Sequence, residues 1–484
     1  MDMENKETRL PKELILSLQD VEGFDEKAFI AAHESPRQIV SIRVNPFKSD
    51  ISNLPSAISH SVPWCSYGFY LDERPSFTFD PTFHAGAYYV QEASSMFLEE
   101  MLKQTVDLNA PLKVLDLCAA PGGKSTLIQS VISKESFLVS NEVIKTRVNI
   151  LEENISKWGA ANVIVTNNDP KDFQRLEDYF DVIVIDAPCS GSGLFRKDHN
   201  AISEWSEQNV ELCSQRQQRI LADALPCLKE GGVLIYATCS YSEKEDEEIL
   251  DCIVELGVGS LESGVGSLES GVDSLRIQLH SEWNVVETES KQYGSYGYRF
   301  FPDKVKGEGF FIAAFKKGGS NISKNEKRSK EKNKPDKEKI SAKEIEVLRN
   351  YLNNVDALTF IRQNDNIIAI PNFMAEDLKT IKQALYIKKA GITIGSIIRD
   401  ELIPDHDLAL STLLSSSVKR IELDEATAIQ YLRKEEIKLE APSMGWFLVC
   451  FQQHPLGWVK VLPNRINNYY PKSWRILHSS SLNN

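Results

Sequence analysis

Val114-Leu-Asp-Leu-Cys-Ala-Ala-Pro-Gly-Gly-Lys-Ser-Thr126 is the stretch on which the fold turns. It reads as a buried strand, a tight loop of small residues and the start of a helix. Ala119, Ala120, Gly122 and Gly123 let the backbone come close to a ligand. The free N–H groups and positive dipole end of the following helix favour a carboxylate there. Gly123-Lys124-Ser125 looks like the tail of a P-loop, but that motif needs a glycine where Cys118 stands. From Leu112 to Phe315, strand-like runs alternate with helical stretches, the pattern of an α/β parallel sheet. Strands are predicted at Lys113–Leu117, Ser136–Asn141, Asn162–Thr166, Asp181–Ile185 and Gly232–Ala237. Gly297–Pro302 and Gly309–Phe315 read as an antiparallel pair that ends the sheet.

In an open parallel sheet, ligands bind in the crevice outside the carboxyl ends of the strands. Two cysteine segments fall there: Asp186-Ala-Pro-Cys189 follows one predicted strand, and Thr238-Cys-Ser240 follows another. Their thiols are expected to share a pocket with Asp186. A thiol is nucleophilic near neutrality and also leaves readily, so the pair points to thiolate attack on a ring carbon with a second group assisting release. An unperturbed thiol has a pKa of about 8.5, so the site must help it ionise. Free cysteines are otherwise small buried hydrophobes, which suits Cys213, Cys227 and Cys252 and competes with a ligand role at Cys118. Asn141-Glu142 ends the second strand, where an acidic side chain is the expected partner of paired ribose hydroxyls. Asp169, after the third strand, is placed to flank a purine base.

The 484 residues suffice for two or three domains, and the 42% apolar content is that of a soluble globular chain. No run is long enough for a transmembrane helix, and Met1–Arg9 lacks the apolar core of a secretory signal. Eight scattered cysteines without a CxxC pair fit neither a disulfide framework nor a zinc site, and a reducing cytoplasm is expected. The net charge of −14 describes the overall field and leaves room for a local basic cleft. Residues 1–105 read as an N-terminal domain, 106–317 as the α/β domain, 318–343 as a basic linker and 344–484 as a C-terminal region. Gly257-Val-Gly-Ser-Leu-Glu-Ser263 recurs at Gly264–Ser270 and in part at Gly271–Leu275. It is too glycine-rich for a coiled coil and reads as a surface insertion. Asn464–Trp474 interleaves basic and aromatic groups, as nucleic-acid surfaces do. Arg43, Arg196, Lys197 and Arg299 are candidate phosphate contacts.

Cys118-Ala-Ala-Pro-Gly-Gly-Lys124, Asp186-Ala-Pro-Cys-Ser-Gly-Ser-Gly193 and Ala237-Thr-Cys-Ser240 resemble, in order and spacing, the motifs of NOL/NOP/Sun-type RNA cytosine-5 methyltransferases. Tyr89-Val-Gln-Glu-Ala-Ser-Ser-Met96 resembles that family's entry segment, so the likeness runs over about residues 10–318. The C-terminal region looks like the added RNA-binding portion of bacterial F-type enzymes acting on small-subunit ribosomal RNA. The resemblance implies a Rossmann-like methyltransferase sheet, an α+β N-terminal RNA-binding domain and a PUA-like C-terminal region. It implies S-adenosyl-L-methionine lined by Cys118, Ala119, Ala120, Pro121, Gly122, Gly123, Lys124, Glu142, Asp169 and Asp186. It makes Cys239 the nucleophile, Cys189 the release group and Asp186 the contact to the target base, with no metal. The implied partner is RNA, ribosomal RNA or the small subunit, for a monomer away from membranes. Two alternatives stay open: a DNA cytosine-5 methyltransferase, for which Cys189 would be the nucleophile, and a non-catalytic ribosome-assembly factor.

Overall fold

The computed structural model describes residues 9–49, 58–259, 271–318 and 340–477. A four-stranded antiparallel sheet comes first, formed by β1 (Val40–Val44), β2 (Ile58–Ser61), β3 (Gly68–Leu71) and β4 (Tyr88–Val90) in the order β2-β3-β1-β4. The large sheet follows: β5 (Lys113–Asp116), β6 (Phe137–Asn141), β7 (Val163–Thr166), β8 (Phe180–Asp186), β9 (Leu228–Thr238), β10 (Val272–Leu275), β11 (Val286–Glu289), β12 (Tyr296–Phe300) and β13 (Phe310–Lys317). The C-terminal region contributes β14 (Leu358–Gln363), β15 (Asn366–Pro371), β16 (Ile387–Ala390), β17 (Ile392–Ile398) and β18 (Glu401–Pro404). It ends with β19 (Arg420–Glu422), β20 (Gly445–Phe451), β21 (His454–Leu462) and β22 (Arg465–Asn468). Each predicted strand of the α/β region is present, with its ends moved by a few residues.

Along β5 and β8 successive residues face opposite sides, the period-two geometry of an extended chain. Val114, Val182 and Val184 pack on one face with Leu127, Ile128 and Leu151 of the helices Gly123–Val131 and Lys145–Trp158. Leu115, Ile183 and Ile185 pack on the other with Ile220, Leu221 and Ile249 of the helices Glu207–Ala224 and Glu247–Gly259. Helices on both faces explain why these strands are continuous apolar runs. The large sheet runs β11-β12-β13-β9-β8-β5-β6-β7-β16, with β10 beside β13. Strands β9, β8, β5, β6 and β7 are parallel to one another, and β13 closes antiparallel on β9. This is a Rossmann-like methyltransferase arrangement. The order reverses at β5, whose neighbours are β6 and β8, and such a switch point is where open α/β sheets bind their ligands.

Three findings refine the sequence expectations. The first copy of the seven-residue repeat begins inside the helix Glu247–Gly259, and the third supplies β10, with Val272 buried against the core. The repeat is therefore more than a surface insertion at both its ends, while residues 260–270 lie outside the described ones. Most of the expected basic linker also lies outside them, and the helix Ala342–Arg349 starts within its last residues through a Ser341/Glu344 capping box. The large sheet, moreover, does not end with the α/β region, because β16 pairs antiparallel with β7. Tyr386 reinforces that junction, accepting from Asn168 Nδ2 at 2.9 Å and donating its N–H to Asn168 Oδ1 at 2.9 Å.

The C-terminal strands form two further four-stranded sheets, β14-β15-β17-β18 and β19-β20-β21-β22. In Asn464–Trp474, Tyr470 is core and Trp474 packs edge-on against His406, so only part of that aromatic set faces solvent. Burial lowers the His406 pKa to about 3, aided by the Lys157 and Lys48 charges, and lowers His33 and His84 to about 4. Above about pH 6.5 these rings are neutral folded or unfolded. Below it the unfolded chain takes up protons that the folded chain refuses, so stability is lost progressively as pH falls from 6.5 towards 3–4. His406→Gln should flatten the decline in melting temperature between pH 7 and pH 5 relative to the parent. An unchanged decline would remove His406 as its source.

Candidate active site

Five loops meet at the carboxyl ends of β5, β6, β7, β8 and β9. The loop after β5 turns sharply at Gly122, whose φ of 116° is open to glycine and strained for other residues. Its carbonyls are held from outside: Arg147 donates to Ala120 O at 2.5 Å and Asn154 to Pro121 O at 2.8 Å. Inside, Asp116 is fully buried and accepts from the Ser125 hydroxyl at 2.6 Å, while its other oxygen has no partner. Burial raises the Asp116 pKa to about 7, against the Ser125 hydrogen bond, with Asp186 and Glu142 adding to the rise. Burial and the same carboxylates push the Cys118 thiol far up, so it stays a neutral thiol.

These carboxylates concentrate negative charge around the Gly122 turn. Glu142 is buried and accepts the Ile144 N–H at 2.9 Å, with Arg147 at 3.5 Å. Asp169 lies past the end of β7 and caps the turn Pro170–Arg175 through the Lys171 N–H. Asp116, Glu142 and Asp186, with an unpartnered buried oxygen among them, fit a ligand that brings a positive centre and hydroxyl donors. The ammonium, sulfonium and ribose of S-adenosylmethionine have that chemistry. No group of three or more metal-ligating side chains occurs among the described residues.

The two cysteine segments converge: Cys189 Sγ and Cys239 Sγ are 3.1 Å apart, and both remain free thiols. The hydrogen bond to Cys239 and then burial hold Cys189 well above the ordinary thiol range, so Cys189 keeps its proton. Lys124 reaches the same place, its Nζ 2.8 Å from Asp186 Oδ2 and over the Phe310 ring. Burial alone would lower the lysine pKa, but Asp186 and Cys239 outweigh it and hold the ammonium above its usual range. A third of the Asp186 side chain is exposed, and its ion pair with Lys124 puts an ammonium donor beside the thiols.

Beneath the thiols lies scaffolding that the motifs did not reveal. Glu245 is fully buried and accepts from both cysteine-bearing loops. Gly193 donates its N–H to Cys239 O at 2.9 Å, and a Cβ there would stand 2.5 Å from Gly309 O. Two candidate phosphate contacts are structural. Arg43 is fully buried and crosses from β1 to Gln91, Thr126, Ser130 and Gly123 O, binding the N-terminal sheet to the cofactor-loop helix. Arg299 is buried against Asp246 at 3.1 Å and Glu247, and Asp246 accepts from Thr238 just ahead of Cys239. Arg196 is tied to Gly307 O and Glu308, leaving Lys197 exposed. An arginine inside a strand reads as surface charge until its partners, distant in sequence, are seen.

The chain matches three family models: N-terminal domain of 16S rRNA methyltransferase RsmF over residues 10–93, 16S rRNA methyltransferase RsmB/F over 104–316, and methyltransferase RsmF PUA domain over 418–476. It is 30% identical over 463 residues to a ribosomal RNA small subunit methyltransferase F from Aeromonas salmonicida, covering 92% of each chain. A protein of that name from Shewanella loihica is 29% identical over 451 residues, covering 89% of this chain and 88% of its own. Among solved structures, NSun6 from Pyrococcus horikoshii with SFG superposes with a TM-score of 0.51 at 19% identity, over 65% of this chain and 100% of its own, a likeness of fold. Arg299→Met should strand Asp246 and Glu247 as unpaired buried carboxylates and cost about 3–5 kcal/mol in urea unfolding. A loss under about 1 kcal/mol would show that the pair does not brace the site.

Proposed function

The chain belongs to the ribosomal RNA small subunit methyltransferase F family, and on that footing we propose that it forms 5-methylcytosine in 16S ribosomal RNA through a covalent adduct on Cys239. The observation that carries the proposal is the meeting of the Cys189 and Cys239 sulfurs at 3.1 Å beside the Lys124–Asp186 pair.

S-adenosylmethionine, when bound, supplies an electrophilic methyl group on a sulfonium. We assign its holding to the loop Cys118, Ala119, Ala120, Pro121, Gly122, Gly123 and Lys124, with Glu142, Asp169 and Asp186. The rest of the chemistry belongs to the protein. Carbon 5 of cytosine is a weak nucleophile, and the Cys239 thiolate corrects this by adding to C6 and pushing its electron pair towards C5. Lys124, paired with Asp186, provides a hydrogen-bond donor where negative charge develops on the pyrimidine. Carbon 5 then takes the methyl group. Its proton passes to solvent water, and the electron pair of that C–H bond re-forms the C5–C6 double bond as the C6–S bond returns its electrons to Cys239. Cys189, protonated and in contact with the Cys239 sulfur, is placed to donate its S–H to the Cys239 thiolate as it departs. The target base has to be single-stranded or flipped out to reach this crevice.

Cys239→Ala should abolish methyl transfer to ribosomal RNA or small subunits, while Cys189→Ala should leave a protein–RNA adduct that survives SDS. Full activity of Cys239→Ala would overturn the nucleophile assignment, and dependence on Cys189 alone would point to DNA-type chemistry. Bisulfite mapping of ribosomal RNA from cells lacking the protein should reveal one or more unmethylated cytosines.

A further inference from the structure

We propose that Glu245 is the positioning residue that keeps the release thiol against the attacking thiol, so that its loss stalls the reaction at the covalent adduct. The inference rests on the proposed roles of Cys239 and Cys189.

Glu245 ends a short 3-10 turn, Glu243–Glu245, five residues beyond Ser240, and its side chain has no exposed surface. Oε1 accepts the Ser190 N–H at 2.7 Å, and Oε2 accepts the Ser190 hydroxyl at 2.5 Å and the Ser240 hydroxyl at 2.6 Å. Ser190 directly follows Cys189 and Ser240 directly follows Cys239. One carboxylate therefore grips the residue next to each thiol. Its backbone is fixed in turn, because the Tyr236 hydroxyl donates to Glu245 O at 2.7 Å from within β9.

Burying a carboxylate is costly, and burial does raise the Glu245 pKa against the lowering effect of Ser190 and Ser240. That cost has a geometric reason. A carboxylate offers two acceptor oxygens and needs no donor in return, whereas an amide offers one acceptor oxygen and adds an N–H₂ that would face the Ser190 N–H or the hydroxyls. Packing alone would be served by an apolar side chain.

The two loops do not depend on Glu245 equally. The Cys239 segment is also held by Thr238 on Asp246 at 2.7 Å and by the Gly193 N–H on Cys239 O at 2.9 Å. The Gly193 bond and the Ala187 N–H on Ala237 O at 2.8 Å, with Gln217 on Pro188 O at 3.1 Å, tie the Cys189 loop on either side of its thiol. Next to the thiols the difference is sharper: the N–H and the hydroxyl of Ser190 both end on Glu245, whereas the N–H of Ser240 goes to Thr238 Oγ1 at 3.3 Å. Removing the carboxylate function should thus release Cys189 and leave Cys239 in place. Attack would continue and elimination would slow, since a displacement near 1 Å costs on the order of 10²-fold in rate.

The test uses full-length protein, small-subunit ribosomal RNA and S-adenosylmethionine. Glu245→Gln should lower kcat by about 10²-fold with KM for RNA within about twofold, and should accumulate SDS-resistant adduct although both cysteines are present. The double variant S190A/S240A keeps the carboxylate, removes two of its donors and should accumulate adduct too; it decides the matter if Glu245→Gln does not fold. Turnover at the parent rate, or a fall in kcat without adduct, would overturn the proposal. Cys189→Ala is run alongside. If it traps adduct and the Glu245 variants do not, the positioning role fails alone; if it traps none, the covalent mechanism fails first.

Discussion

Parallel pairing of β8 with β5 on one side and β9 on the other is the constraint from which the site follows. Val184 lies opposite Asp116 in one pairing, and Asp186 opposite Ala237 in the other. That register ends β5 opposite Val184, shortly before β8 ends at Asp186 and β9 at Thr238, so the loops after them leave from the same edge of the sheet. The cofactor-type loop, the Pro-Cys segment and the Thr-Cys segment need no further device to meet. What remains is a matter of ångströms, and buried polar groups settle it.

Those groups carry unusual electrostatic weight. Asp116, Glu245, Asp246 and Glu247 are all buried within the catalytic region, in a chain whose net charge is already −14. Lys124 and Arg299 answer part of that charge, each with a carboxylate partner within 3.1 Å. Hydroxyl donors from Ser125, Ser190, Ser240 and Thr238 answer more of it, leaving one Asp116 oxygen without a partner. Buried charge that is fully hydrogen-bonded rigidifies its surroundings, and the same network left half-satisfied would be a liability.

Much of this was legible in the residues, for identifiable reasons. Apolar runs ended by Asp-Ala-Pro-Cys and Thr-Cys-Ser place both thiols at strand ends, because strand polarity is readable from the runs themselves. Glu245 was not legible, since a carboxylate in Ser-Glu-Lys-Glu-Asp-Glu-Glu248 looks like solvated charge. Arg43 and Arg299 misled for the related reason that their partners lie 48 residues or more away in sequence. Gly271–Leu275 looked like an insertion because glycine-rich repeats hide a short strand, and only pairing with β13 reveals it.

The strand that β16 lends to the edge of the large sheet has an architectural consequence. An unpaired outer strand invites pairing with other chains. Here β7 is sheltered by a segment from the far side of the covalent connection, so the C-terminal region is not an accessory that can be cut away cleanly. Excising it would lay bare the N–H and C=O groups of Val163–Thr166 on that side, within a few residues of Asp169. The ladder fixes Ile387–Ala390 to the edge of the large sheet, so the chain leading on to the PUA-matching residues 418–476 starts from a set position on that sheet.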